Sequence, residues 1–167
     1  MSCKVIHIIL LKNTLTMRKL YVLACLVMAG MAASAQSDKA VHWTFTAKKI
    51  ADKVFEVHMT ASIDGNYHMY AQNVGVDGPL PTVFKFTANP LAAVDGKTKE
   101  AGKLVSKKEE VWGGVVNYYE KTVDFVQVVK LKGKIKTNLA GSVEFMVCND
   151  SQCLPPATVE FKVPVGG

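Results

Sequence analysis

Sequence patterns that mark several common enzyme classes are missing from this chain. Its 167 residues contain no G-x-S-x-G nucleophile motif, no H-E-x-x-H zinc motif and no glycine-rich phosphate loop. Cysteine is scarce as well, with four residues in the whole sequence. Cys148 and Cys153 have a spacing found in zinc sites, but no second Cys/His pair supplies the other two ligands. We therefore expect no metal and no other cofactor.

Positive charge is scarce outside the N-terminal region. The chain has 20 Lys and Arg against 14 Asp and Glu, but residues 1–35 hold four of the cations and none of the acids. Residues 36–167 are left with 16 basic and 14 acidic side chains, a net charge of +2. Nucleic-acid binding needs a clustered basic surface, so we do not expect it here.

The N-terminal residues have the layout of a secretory signal peptide. From Met17 onward the sequence has two cations, an apolar run of about 14 residues and then the small residues Ala-Ser-Ala. The apolar run is shorter than the ~20 residues of a membrane span. We therefore predict that residues 1–35 are an upstream extension plus a signal peptide, cleaved before Gln36, and that residues 36–167 form the exported domain. A lipoprotein signal that ends before Cys25 is the alternative.

Residues 36–167 show the period-two alternation of strands with one buried face. Turn formers separate these strands, among them Asp95-Gly96 and the stretch from Asn138 to Gly141. Roughly seven to nine short strands predict an all-β, immunoglobulin-like antiparallel sandwich, with a small closed barrel as the alternative. Residues 71–82 and 97–115 are predicted to be long loops. The alternating rows are Val41, Trp43 and Phe45; Phe55, Val57, Met59, Ala61 and Ile63; Val123, Phe125, Gln127, Val129 and Leu131; Val143, Phe145 and Val147; and Val159, Phe161 and Val163.

Cys148 and Cys153 allow two interpretations. In an oxidising compartment, the two cysteines that remain after signal removal most simply form one disulfide. The tetrapeptide between them, Asn149-Asp150-Ser151-Gln152, consists of turn formers, so the two sulfurs are able to meet. Closing so short a loop removes only ~2 kcal/mol of unfolded-state entropy, which is little for a structural staple. Because exposed disulfides often act as exchange centres, a redox site and a local loop clip both stay open.

Three segments resemble one known family. VCNDSQCLPPATVEFKV, residues 147–163, is similar to the active-site segment of the N-terminal periplasmic domain of the DsbD thiol:disulfide interchange protein: a strand, Cys-x4-Cys, an apolar residue, Pro-Pro and a closing strand. DGNYHMYAQN, residues 64–73, resembles an aromatic-rich strand of that domain, and EEVWGGVVNYYEKTVDFVQVV, residues 109–129, resembles its cap loop and the following strand. The resemblance covers nearly all of residues 40–165. It implies an immunoglobulin-like sandwich with a redox-active disulfide.

The resemblance also implies roles for individual residues. Cys148 and Cys153 would be the redox pair, in which a partner thiolate attacks Cys153 and Cys148 is the resolving thiol. Val111 stands where the family's cap loop has an aromatic residue, so Trp112 would shield the disulfide instead. His68 would either lower a thiol pKa as an imidazolium or serve as a structural histidine. The predicted residues around the cysteines are Glu110, Val111, Trp112 and Gly113 in the cap loop, Tyr67, His68 and Tyr70 in the lining strand, and Leu154, Pro155 and Pro156 in the flanking turn.

The resemblance further implies partners and a location. In the family, a reduced thioredoxin-like domain reduces this domain, which then reduces periplasmic oxidoreductases such as disulfide isomerases. The sequence ends at Gly167 without the family's membrane and thioredoxin-like domains, so we expect a periplasmic protein-disulfide reductase that receives electrons in trans. A membrane-embedded donor is a further candidate partner. The alternative function is a non-enzymatic immunoglobulin-like binding module with a structural loop disulfide.

Overall fold

The computed structural model describes residues 40–167. The predicted signal peptide and its cleavage site lie outside these residues. Within them, no helix is both long and apolar enough to cross a membrane. Nine strands make up the domain: β1 (Val41–Ala51), β2 (Val54–Ile63), β3 (His68–Tyr70), β4 (Val83–Phe86), β5 (Ala92–Glu109), β6 (Gly114–Leu131), β7 (Thr137–Phe145), β8 (Val147–Cys148) and β9 (Ala157–Val165).

The strands form two antiparallel sheets. In the larger sheet, β6 is central: β5 pairs along one of its edges, while β2 and β3 share the other. β1 extends this sheet beyond β2, and the two-residue strand β8 extends it beyond β3. The smaller sheet has the order β4-β7-β9. The very short strands β3 and β8 lie side by side, and this pairing positions the cysteine segment.

The main core lies between the two sheets, and the alternating apolar rows build it. Phe125 of β6 and Phe145 of β7 are completely buried and come from opposite sheets. The Trp43 ring of β1 lies against both, with centroid distances of 5.9 Å to Phe125 and 5.5 Å to Phe145. Truncating a buried Phe of this kind typically costs ~3–5 kcal/mol, so this aromatic contact stabilises the packing of the sheets. The predicted all-β antiparallel sandwich is confirmed.

The predicted loops and turns were partly wrong. Residues 71–82 contain no strand, as predicted, but residues 97–109 belong to β5, a strand of 18 residues. Asp95-Gly96 lies within β5, at a register shift against β6, and Asn138 to Gly141 lies within β7. β5 lacks an apolar row because its side chains are mostly exposed, so it was not recognisable by alternation. β5 is a strand because its backbone pairs with β6, without an alternating pattern of buried side chains.

Candidate functional site

Cys148 and Cys153 form a disulfide across a tight hairpin loop. Their Cα atoms are 4.0 Å apart, and the two residues form an antiparallel bridge. Just beyond the two cysteines, the amide of Leu154, which follows Cys153, donates a hydrogen bond of 2.9 Å to the carbonyl of Val147, which precedes Cys148. Cys148, at the end of β8, is only 3% exposed, whereas Cys153 lies on the surface. The two sulfur-bearing residues therefore differ in their access to solvent.

Tyr70 contacts the buried cysteine. β3 pairs with both β6 and β8, which places His68 opposite Cys148 and Tyr70 two residues further along the same strand. The Tyr70 hydroxyl donates a buried hydrogen bond of 3.2 Å to Cys148 Sγ. Burial raises the pKa of Tyr70, and a hydrogen bond with Trp112 partly opposes this rise. The hydroxyl therefore stays protonated at neutral pH and keeps its proton available to sulfur.

The predicted cap loop is the tip of the β5–β6 hairpin, a four-residue turn from Glu110 to Gly113. The Gly113 amide donates to the Glu110 carbonyl at 3.2 Å, and Gly113 has a φ of +68°, a conformation that favours glycine. Val111, at the tip, is 85% exposed. Trp112 is half-buried and packs against a second apolar cluster, which contains Tyr70, Val74, Val116, Tyr118 and Cys148.

Trp112 is seated on the loop of residues 71–82, a contact that the sequence analysis missed. A Cβ on Gly78 would overlap the Trp112 ring at Cε3 and Cζ3. Beside it, a Cβ on Gly114 would come within 2.5 Å of Val76 Cγ1. The loop is itself tied to β6, because the Asn117 amide donates to the Val74 carbonyl at 2.8 Å. The only available signal was the high glycine content of both segments.

His68 lies between two tyrosine rings on the same side of β3. Its ring centroid is 4.3 Å from that of Tyr118 and 5.4 Å from that of Tyr70. Burial lowers the pKa of His68, although the nearby carboxylates Glu120 and Glu109 act in the opposite direction. The ring is therefore mostly neutral at pH 7, which favours the structural interpretation over a thiol-activating imidazolium. Tyr118, which was not among the predicted residues, lines the same groove.

The remaining predicted residues lie at different places around the disulfide. Tyr67 packs against the main core and does not line the groove, because alternation directs it to the opposite face from His68. Leu154 is also buried in the main core and anchors the end of the cysteine loop. Pro155 and Pro156 are exposed and connect Leu154 to β9.

The site as a whole is an open groove of about 320 Å³ between the cysteine hairpin and the cap hairpin. Its walls include His68, Tyr70, Trp112 and Tyr118, and both cysteines contribute to its surface. Such a groove presents one surface cysteine, Cys153, to a nucleophile and holds the sulfur of Cys148 beside a hydroxyl donor. This arrangement suits thiol–disulfide exchange, in which access and leaving-group stability select the sulfur that is attacked.

The fold and the site together define an all-β domain of the thiol–disulfide interchange class. The family described as thiol:disulfide interchange protein DsbD, N-terminal, matches residues 34–164, and the chain therefore belongs to this family. The predicted family is thus confirmed, and its coarse role, thiol–disulfide interchange, applies to the chain.

Solved structures that are similar to this chain include two N-terminal domains. The reduced N-terminal domain of DsbD from Neisseria meningitidis has a TM-score of 0.50 and 21% identity, covering 78% of this chain and 89% of that one. The N-terminal periplasmic domain of ScsB from Proteus mirabilis has a TM-score of 0.48 and 13% identity, covering 75% of this chain and 44% of that one. Among curated proteins, no match was found. The Neisseria structure confirms the predicted immunoglobulin-like sandwich.

Proposed function

We propose that this domain passes reducing equivalents to periplasmic thiol oxidoreductases through its Cys148–Cys153 disulfide. One observation carries the proposal: Cys153 is on the surface, while Cys148 is buried and its sulfur accepts a hydrogen bond from Tyr70. An inert loop clip has no need of this asymmetry. An exchange centre does need it, because it directs a partner to one sulfur only.

In the reductive half of the cycle, a thiolate of a reduced thioredoxin-like partner attacks Cys153 Sγ. A mixed disulfide forms, the Cys148–Cys153 bond breaks, and Cys148 leaves as a thiolate that takes up a proton. The second thiolate of the partner then attacks its own mixed-disulfide sulfur and releases Cys153. The partner ends as a disulfide and this domain as a dithiol, so two electrons have been transferred.

In the oxidative half, the Cys153 thiolate attacks the disulfide of an acceptor. The acceptor's leaving thiolate is released, and the Cys148 thiolate then attacks Cys153 Sγ. This second attack restores the disulfide and frees the reduced acceptor. Tyr70 supports both halves, since a donor at 3.2 Å stabilises the Cys148 thiolate whenever it forms.

Trp112 restricts access to the disulfide. Its ring packs against the apolar cluster that contains Cys148 and lines the groove together with both cysteines, so a thiol reaches the sulfurs more easily when the ring moves aside. We assign the cap role to the turn from Glu110 to Gly113, in which Val111 at the tip is available to a docking partner. The rigid backbone of Pro155 and Pro156 would fix the segment that follows Cys153.

The proposal extends to location and partners. Residues 1–35 would direct export to the periplasm, where a disulfide of this kind persists. The donor would be a thioredoxin-like domain acting in trans or a membrane-embedded protein, and the acceptors would be disulfide oxidoreductases or isomerases. Mass spectrometry of the mature N-terminus tests the export step: a first residue of Gln36 is expected, whereas a lipidated Cys25 would indicate anchoring.

Trapping tests the chemistry directly. In Cys148→Ser the exposed Cys153 thiol remains and the resolving thiol is missing, so a mixed disulfide with an oxidised thioredoxin-fold protein should accumulate. In the matched variant Cys153→Ser, the remaining thiol is buried and little adduct should form. Equal adduct in the two variants would contradict attack at Cys153, and no adduct in either would favour the binding-module alternative.

The reduction potential supplies a second test. Equilibration with glutathione should give a value above about −300 mV, the range of labile and catalytic disulfides rather than inert structural ones. A lower reduction potential would contradict the proposed function. A binding module, in contrast, would keep its partner when both cysteines are replaced by Ser.

A further inference from the structure

Asn149 organises the loop between the two cysteines. Its side-chain Oδ1 accepts hydrogen bonds from the backbone amides of Ser151 and Gln152, each 2.9 Å long. Its own backbone amide donates to the Gln152 carbonyl at 2.9 Å. None of these bonds involves a sulfur atom. The same bonds are therefore available when the disulfide is reduced, and they hold the loop in the conformation that brings Cys148 and Cys153 together.

We propose that Asn149 is a positioning residue that keeps the two thiols of the reduced protein close to bonding geometry. It would thereby raise the effective concentration of one thiol at the other and lower the reduction potential of the pair. This inference rests on the proposed function, because it concerns the equilibrium between the same dithiol and disulfide. It adds a residue that acts through the loop backbone and not by reacting itself.

The physical reason is a difference between the two redox states. In the oxidised protein, the Cys148–Cys153 bond closes the loop whether or not Asn149 is present. In the reduced protein that bond is missing, and the turn bonds and the flanking bond from Leu154 to Val147 oppose fraying of the loop. Without the Asn149 side chain, the dithiol gains conformational entropy that the disulfide form does not. The substitution therefore stabilises the dithiol relative to the disulfide.

The reaction to be measured is oxidation of the dithiol by glutathione disulfide. The Cys148–Cys153 bond forms, the glutathione S–S bond breaks, and the two thiol protons end on two molecules of glutathione. The equilibrium constant of this reaction has units of concentration and reports how well the protein holds its two thiols together. The measurement is made at pH 6.5, well below the ~8.5 reference pKa of a thiol, to limit the contribution of thiolate formation to the equilibrium.

The experiment compares three variants with the wild type at pH 6.5. We expect Asn149→Ala to lower the equilibrium constant about tenfold, since two hydrogen bonds to the loop backbone are lost. A tenfold change corresponds to a potential about 30 mV less reducing. Asn149→Asp keeps an acceptor oxygen at the same position and should stay within about twofold of the wild type. Gln152→Ala keeps the backbone groups that make the turn bonds and should leave the constant unchanged.

Other outcomes would overturn the inference. An Asn149→Ala constant within twofold of the wild type would show that the turn bonds do not position the thiols. A fall as large in Gln152→Ala would show a general sensitivity of the loop. Thermal unfolding of the oxidised variants verifies that each one folds. A failure of the proposed function would be recognised separately. That function is judged by the absolute reduction potential of the wild type, whereas this inference is judged by the ratio of the variant and wild-type equilibrium constants.

Discussion

Replacing Tyr70 by Phe isolates the hydrogen bond to the buried sulfur. The substitution removes the hydroxyl that donates to Cys148 Sγ at 3.2 Å, while the ring continues to fill its place beside Cys148. A hydrogen bond to a charged group contributes ~1.5–3 kcal/mol. The lower value corresponds to about one pKa unit, so the Cys148 thiol of the reduced variant should have a pKa about one unit higher than in the wild type. The sign follows because the donor stabilises the thiolate.

The pKa change is measurable from thiolate absorbance near 240 nm during a pH titration of the reduced protein. Burial raises the pKa of Tyr70, so its hydroxyl remains a donor while a thiol of ordinary pKa titrates. A poorer leaving group should also slow reduction of the disulfide about threefold, for a Brønsted coefficient of about 0.5 in magnitude. Tyr118→Phe is the matched control, since that ring lines the same groove. An unchanged or lower Cys148 pKa in Tyr70→Phe would refute the reasoning.

Three further predictions follow from the groove. Gly78→Ala should displace the Trp112 ring and speed reduction of the disulfide by a small thiol several-fold. Gly65→Ala, also at positive φ but with open space around it, is the control and should not change the rate. Equal rates in the two variants would contradict the contact between Trp112 and Gly78. Reduction of the disulfide should brighten tryptophan emission. Trp112→Phe should abolish this change, because the remaining tryptophan, Trp43, packs against the main core and not against the cluster that contains Cys148. A change that persists in the variant would contradict the position of Trp112 beside the disulfide. Because burial lowers the pKa of His68, the unfolded state binds more protons below pH 6.5, so the free energy of unfolding should fall on acidification through that pH. The fall should be smaller in His68→Gln. Equal falls in the two proteins, measured by urea titration, would disprove this role of His68.

The sequence was sufficient to predict the strands that bury one face. β2 and the C-terminal half of β6 alternate because their inward side chains meet the opposite sheet. Glycine misled the prediction within β7, where Gly141 is needed for packing: a Cβ there would overlap the Lys85 carbonyl oxygen and come within 2.9 Å of Phe161 Cζ. A glycine that lets a neighbouring strand approach looks the same in sequence as one that makes a turn.

The site was predictable where a motif or a strand period marked it. The cysteine pair, the Trp112 hairpin and the face of β3 that carries His68 and Tyr70 all come together in one groove. The seat of Trp112 on Gly78 was not predictable, because it joins a loop and a hairpin that are distant in sequence. The bonding of Asn149 was equally hidden. Asn149 was recognisable as a turn former, but the amides that its side chain would bind depended on the three-dimensional path of the loop.

The long strand β5 has a consequence for how the protein behaves at high concentration. Among the strands of residues 40–167, only β6 pairs with it, so no second strand covers the other edge of its 18 residues. Such an edge is a template for joining a second molecule. β5 carries five lysines and three carboxylates, so two copies meeting edge to edge would bring a surplus of positive charge together. This repulsion should keep the domain from self-associating while its cysteine groove stays open to other proteins.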